Sequence, residues 1–240
     1  MSRFQRAEAD PRVDIQASLE RASSYNRWIG DQARAVVGMR VLDAGCGAGN
    51  ITRQLLDREQ VVAVDVWDEF VDSMTREFAG APNLAIHRFD LADPEMSDAL
   101  LEYDLDSAIC TNVLEHVEDH RAALTNIAAA LRPGSPIFLL VPAFQMLFGE
   151  HDRADRHFRR YTKRSLRETV RPLALNIEES RYMNLPGFFA WFVLVRLLRR
   201  RLTEDAIGFY DRLVPLISAT EKRMRPPFGQ TLVAVLRTRS

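Results

Sequence analysis

Cysteine is scarce. Cys46 and Cys110 are the two in 240 residues, which is no disulfide framework and fits a reducing, cytoplasmic setting. Long apolar runs are missing too. The nearest, residues 185–195, is shorter than the ~18 residues a membrane span needs and holds a Pro-Gly pair. The charged stretch from Met1 to Asp10 lacks an apolar signal core. Neither charge sign dominates: 32 Lys plus Arg against 33 Asp plus Glu leaves −1. That balance argues against a protein built to hold nucleic acid. There is no internal repeat and no low-complexity linker. What is present, 47% hydrophobic and 27% charged residues, suffices for one substantial core and excludes whole-chain disorder or a coiled coil.

Helical and extended patterns alternate along the chain. A helix is expected over residues 12–37, ended by Gly38. Strands are expected at Met39–Ala44, Gln60–Val64, Asn83–Phe89, Asp106–Thr111 and Ile137–Val141. Helical stretches separate them, near Asn50–Asp57, Trp67–Phe78, Asp98–Leu101 and Asp119–Leu131. The strands read as continuous apolar runs, as expected when both faces are covered. This is an α/β chain with a doubly wound, mostly parallel sheet. After Pro142 the rhythm breaks into a His-, Arg- and aromatic-rich segment. Then come a strand at Ile177–Met183, an apolar helix at Leu185–Leu198, a helix at Thr203–Met224 and a last strand at Thr231–Arg237. One domain, 1–240, is expected: a core at 39–141, an elaboration at 142–225 and a final strand within 229–240.

The stretch Val41-Leu42-Asp43-Ala44-Gly45-Cys46-Gly47-Ala48-Gly49 follows a strand. Its glycines let the backbone approach a ligand closely. Dinucleotide loops read G-x-G-x-x-G; here the spacing is G-x-G-x-G. Asp43 would repel a pyrophosphate and suits a cationic amino acid. Asp65, at the end of the second strand, can accept ribose hydroxyls. Asp90, at the end of the third, or the backbone beside it, can accept an adenine amino group. S-adenosylmethionine has all three parts.

These pieces, with V-V-A-V-D, F-D-L and N-V-L-E-H-V, resemble class I S-adenosylmethionine-dependent methyltransferases over roughly residues 40–140. The resemblance implies a Rossmann-like seven-stranded sheet whose antiparallel last strand inserts between the fifth and sixth. It also implies an N-terminal helix that closes over the cofactor as a lid. From that helix Tyr25 would reach the methionine carboxylate, and Trp28 would either cover the site or pack on the sheet. The expected cofactor set is then Tyr25, Trp28, Asp43, Gly45, Cys46, Gly47, Asn50, Asp65, Val66, Asp90, Leu91 and Asn112. Cys46 reads as a small filler between glycines and Cys110 as core strand.

Methyl transfer from a sulfonium is an in-line displacement, so the protein supplies alignment and desolvation first. A base is needed when the acceptor must lose a proton, and cationic clamps when it is an anion. His116 follows the fourth strand. The pattern H-D-x-x-x-x-H-x-R-R-Y-T, after the fifth, supplies His151, His157 and Tyr161 as further catalytic candidates. Asp152, Arg159 and Arg160 are the candidates for binding the acceptor. Thr162 looks like a helix N-cap, which leaves Lys163, Arg164 and Arg167 to face water. No metal site is expected. The acceptor is expected to be a small, partly apolar anion methylated on oxygen. Nucleic-acid or protein methylation is the alternative, as is a lipid-linked acceptor at a membrane surface. The 185–201 stretch, closed by arginines, leaves three readings open: an apolar pocket wall, a homodimer interface, or peripheral membrane contact without insertion.

Overall fold

The computed structural model describes residues 22–193 and 204–239. The first turns expected of the N-terminal helix, and the arginine-rich end of the 185–201 stretch, lie outside the described residues. Strands β1 (Arg40–Ala44), β2 (Gln60–Asp65), β3 (Leu84–Arg88), β4 (Ser107–Thr111), β5 (Pro136–Pro142), β6 (Leu175–Met183) and β7 (Thr231–Thr238) form one seven-stranded sheet. Their order is β3-β2-β1-β4-β5-β7-β6. The first five are parallel, and β7 runs antiparallel between β5 and β6. This is the topology that the resemblance implies.

The central strands are apolar along their length because both faces are covered. Alternate residues feed two cores. Leu42, Val62, Ala108 and Leu139 pack on one face. Val41, Val61, Ile109 and Phe138 pack on the other, with Trp28, Ile29 and Leu55. Each such side chain contributes about 1.5–3 kcal/mol by leaving water. The chain first winds outward from β1 to β3, then restarts at β4 on the other side of β1. That reversal opens a crevice at the carboxyl ends of β1 and β4, where open α/β sheets bind ligands.

Helix ends follow local chemistry. Asp93 and Asp119 cap α3 (Pro94–Leu100) and α4 (His120–Ala129), accepting from the Glu95 and Ala122 amides at 2.9 and 3.0 Å. Thr162 caps α6 (Lys163–Val170) through the Ser165 amide, as its sequence position predicts. Helix α1 (Ser23–Arg34) starts with the Ser24 and Tyr25 amides on the Asp211 carboxylate, at 3.0 and 2.9 Å. Asp211 belongs to α8 (Glu204–Arg223), so the two helices are tied. The remaining helices are α2 (Asp68–Glu77), α5 (Glu150–Ala154) and α7 (Leu185–Ala190).

One expected element differs. No α-helix starts at Asn50; a short 3-10 turn, Thr52–Leu55, stands there. Residues 45–59 must make the glycine turn, cover the sheet and return to β2. Thr52 is meanwhile drawn inward by a 2.6 Å hydrogen bond from its hydroxyl to Asp43.

Candidate functional site

The glycine turn is fixed at the switch point between β1 and β4. Gly45, Gly47 and Gly49 have φ of 81°, 51° and 75°, a region that L side chains seldom adopt. The amides of Gly45 and Cys46 both reach the Val64 carbonyl, which pins the turn to β2. A Cβ on Gly45 would stand 2.3 Å from Val113, in the turn after β4. A Cβ on Gly47 would meet nothing within 4 Å: there the wall faces open space.

Two carboxylates frame that space. Asp43 is buried (2% exposed). Burial lifts its carboxyl to about 7; the Thr52 hydroxyl opposes the shift and the nearby Asp65 adds to it. Among the described residues no cation pairs with it. Asp65 accepts from the Gly47 and Trp67 amides at 2.8 and 3.0 Å, and burial raises its carboxyl as well. Val66 is half-buried beside it. Asp90 is exposed just beyond β3, its carboxylate accepting from the Ala92 amide at 2.8 Å. Leu91 is buried, its carbonyl bonded by Asn126 at 2.9 Å. Asn112 takes a left-handed conformation, φ 54°, at the end of β4. Asn50 is half-buried at the far side of the turn. Cys46 is buried, and burial pushes its thiol up, so it is no nucleophile.

The sequence expects two aromatic residues of α1 at the cofactor. Trp28 packs into the core under the sheet, edge-on to Tyr25 at 6.1 Å. The alternative of a cover over the cofactor gives way to burial of an apolar ring. The Tyr25 hydroxyl is 3.2 Å from the Thr231 hydroxyl at the start of β7, and burial raises it.

The His- and Arg-rich segment after β5 folds inward against the turn after β4. Arg159 donates to the Val117 and Glu118 carbonyls at 2.5 and 2.8 Å, and more weakly to that of Leu114 at 3.4 Å. The Phe158 amide donates to the Glu115 carbonyl at 2.7 Å. Tyr161 is 1% exposed; its hydroxyl donates to the Leu114 carbonyl at 3.2 Å and shares a 2.7 Å hydrogen bond with His120 Nδ1. Arg160 is buried on Asp152, at 2.6 and 3.2 Å, and lies 5.0 Å from the Trp191 ring. Burial alone would raise Asp152; His157 and Arg160 instead hold it down at about 2. The expectation that Arg159 and Arg160 offer free cations to an acceptor is therefore corrected: one holds carbonyls and the other is neutralised inside the protein. Tyr161 likewise braces the loop, and burial raises its hydroxyl further.

His116 and His157 face each other edge-on, 4.5 Å between ring centres. Burial and the neighbouring His157 push His116 down to about 4. His151 is half-buried against Trp191, 5.3 Å between ring centres, and burial lowers it. Thr52, His120 and Trp191 carry no local signal in the sequence, because each acts through a partner distant in the chain. Val113 and Glu115 stand in the N-V-L-E-H-V motif, but their partners do not show there.

Residues 42–137 match the family model of the methyltransferase domain. That stretch is a methyltransferase domain, set in the fold of the class I S-adenosylmethionine-dependent methyltransferases. "O-methyltransferase rstn1" of Aspergillus nomiae is 31% identical over 50% of this chain and 53% of its own length. "Ubiquinone biosynthesis O-methyltransferase" of Aeromonas salmonicida is 30% identical over 47% of each. This chain thus spans about half the length of the curated relatives it matches. A chain from the complex between the Haloferax volcanii Trm112 methyltransferase activator and a putative methyltransferase shares the fold. Its TM-score is 0.61 at 19% identity, over 95% of this chain and 96% of that one. A putative methyltransferase from Bacillus halodurans shares it too, with a TM-score of 0.58 at 14% identity, over 87% of this chain and 97% of that one.

S-adenosylmethionine is the cofactor of the domain, and the residues present fit it. The open face of Gly47 leaves room beside the backbone. Asp43, buried without a protein cation, is suited to an ammonium group, and Asp65 to a ribose. A dinucleotide pyrophosphate at Asp43 would place like charges together.

Proposed function

We propose that the protein is an S-adenosylmethionine-dependent methyltransferase that methylates an oxygen of a small, partly apolar acceptor. The observation that carries the reading is the pair of buried carboxylates around a glycine wall that faces open space. The bound cofactor would supply an already activated methyl group. The protein's part is to orient and to exclude water. Asp43 and Asp65 fix the two ends of the site. The braced turn after β4 sets its inner wall.

An oxygen acceptor is supported by the names of the Aspergillus and Aeromonas relatives, both O-methyltransferases. A partly apolar one is supported by the rings beyond β5. Phe144 stacks on Tyr182 at 4.7 Å, and Phe188 meets Phe228 at 5.0 Å. With Arg159 and Arg160 committed elsewhere, acceptor charge is not part of the reading. For a phenol or alcohol, we assign the proton to His151, which is half-exposed and neutral near pH 7 because burial lowers it.

Calorimetry with S-adenosylhomocysteine tests the cofactor half. Asp65→Ala should weaken binding by about 1.5–3 kcal/mol. Unchanged affinity would sink the assignment. Methyl transfer to a panel of phenols, alcohols, carboxylates and amines tests the acceptor half, and turnover confined to the amines would overturn the oxygen reading.

A further inference from the structure

Glu115 is a charged residue with nowhere to go. It is 1% exposed, and its Oε2 is buried without a hydrogen-bond partner. A buried carboxylate oxygen without a partner is costly, so it calls for a ligand or a proton. Beside it stand His116 and His157. One donor atom from each of the three residues lies within 4.8 Å of the other two.

The surroundings are those of a prepared centre. His157 Nδ1 lies 3.0 Å from Asp152 Oδ1, which leaves Nε2 to act as an acceptor. The backbone of Asp155 is a hydrogen-bond partner of the His116 ring. A carboxylate or carbonyl behind each imidazole is the arrangement that orients metal-binding histidines. The two halves are locked together by the Phe158 amide on the Glu115 carbonyl and by Arg159 on the carbonyls around it. Arg160 offsets one of the two carboxylates, Glu115 and Asp152. With both imidazoles neutral, a net charge near −1 remains, suited to a divalent cation.

We propose that Glu115, His116 and His157 bind one divalent transition-metal ion, of which Zn²⁺ is the natural probe. Two imidazoles and one carboxylate are a borderline-soft set that favours such ions over Mg²⁺ or Ca²⁺. Ligand atoms around Zn²⁺ sit roughly 3.3 Å apart, so the cluster needs a modest contraction that the two imidazole rings can supply. Three protein ligands leave a position open, as in catalytic rather than structural zinc sites. The site lies between the turn after β4, which carries Glu115 and His116, and the segment after β5, which carries His157; it departs from the metal-free expectation. The proposal concerns ion binding and stands apart from methyl transfer.

The test uses the full, tag-free protein, stripped by a chelator and titrated with Zn²⁺ against a chromophoric competitor. About one equivalent should bind tightly. His116→Asn and His157→Asn should each weaken binding by about 100-fold or more, and Asp152→Asn by about 10–100-fold, as positioning groups do. If these variants fail to fold, Co²⁺ added to the wild type gives a second readout: d–d bands without thiolate charge transfer. No Zn²⁺ uptake by the folded wild type would overturn the proposal and leave Glu115 a protonated carboxyl. So would uptake that survives either histidine replacement, or a thiolate band pointing to Cys46 or Cys110.

Discussion

If the buried Asp43 carboxylate takes the ammonium group of the cofactor, as proposed, cofactor binding is a titration. Its folded value of about 7 means that at pH 6 about nine-tenths of the unliganded protein is protonated there. An ammonium partner requires the carboxylate, so binding releases that proton. Below pH 7 the affinity should rise about tenfold per pH unit. The α-amino group of the ligand belongs to a free amino acid and stays charged across this range, so affinity levels off above about pH 8 as Asp43 completes its ionisation. Between pH 5.5 and 7.5 the gain works out at roughly 25-fold, with a plateau above about pH 8. Asp65, also raised by burial, steepens the acid limb.

Calorimetry of S-adenosylhomocysteine binding in buffers of different ionisation enthalpy reads both the affinity and the protons. About 0.9 proton should leave Asp43 per complex at pH 6. Asp43→Asn should abolish that release. Stability should move the other way. A carboxyl raised on folding contributes stability that is complete below its unfolded value near 4 and is lost as pH rises through about 7. By pH 8 the ionised Asp43 costs the ligand-free protein up to about 4 kcal/mol. Asp43→Asn should therefore raise the ligand-free melting temperature at pH 8 while weakening the cofactor. An affinity that is flat from pH 5.5 to 7.5, with no proton released, would refute the pairing.

Removing Arg160 leaves Asp152 charged in the interior. Arg160→Met should cost about 3–5 kcal/mol, and roughly 10 °C of melting temperature; adding Asp152→Asn should recover much of it, and additive losses would argue against the pair. The two glycines should part company. Gly45→Ala, strained and 2.3 Å from Val113, should lower stability by about 1–3 kcal/mol, whereas Gly47→Ala should cost about 1 kcal/mol of stability but at least tenfold in cofactor affinity. Tyr161→Phe should destabilise by about 1–3 kcal/mol on chemical denaturation, because it strands His120 Nδ1 and leaves the Leu114 carbonyl with the weak Arg159 contact; no change would mean that water replaces the hydroxyl.

The sequence by itself determined the sheet and the cofactor wall. Apolar runs such as Gln60–Val64 and Ile137–Val141 have one stable use, a strand covered on both faces. The spacing of Asp43, Gly45, Gly47 and Asp65 is set within one strand-turn-strand unit, so local order along the chain carries it. The place of β7 between β5 and β6 came from the family resemblance, since no local pattern specifies a strand's neighbour. What only the tertiary structure decided depends on partners far apart in the chain. Arg159 and Arg160 read as free cations until the turn after β4 and Asp152 are brought against them. Trp28 reads as core or as a lid until the sheet lies beneath it. The helix expected at Asn50 gave way to a short turn under tertiary constraint. Glu115 and His157 stand 42 residues apart, and their meeting is made by two loops that fold onto each other. Periodicity reports which face of an element is buried; it does not report which side chains meet across two loops.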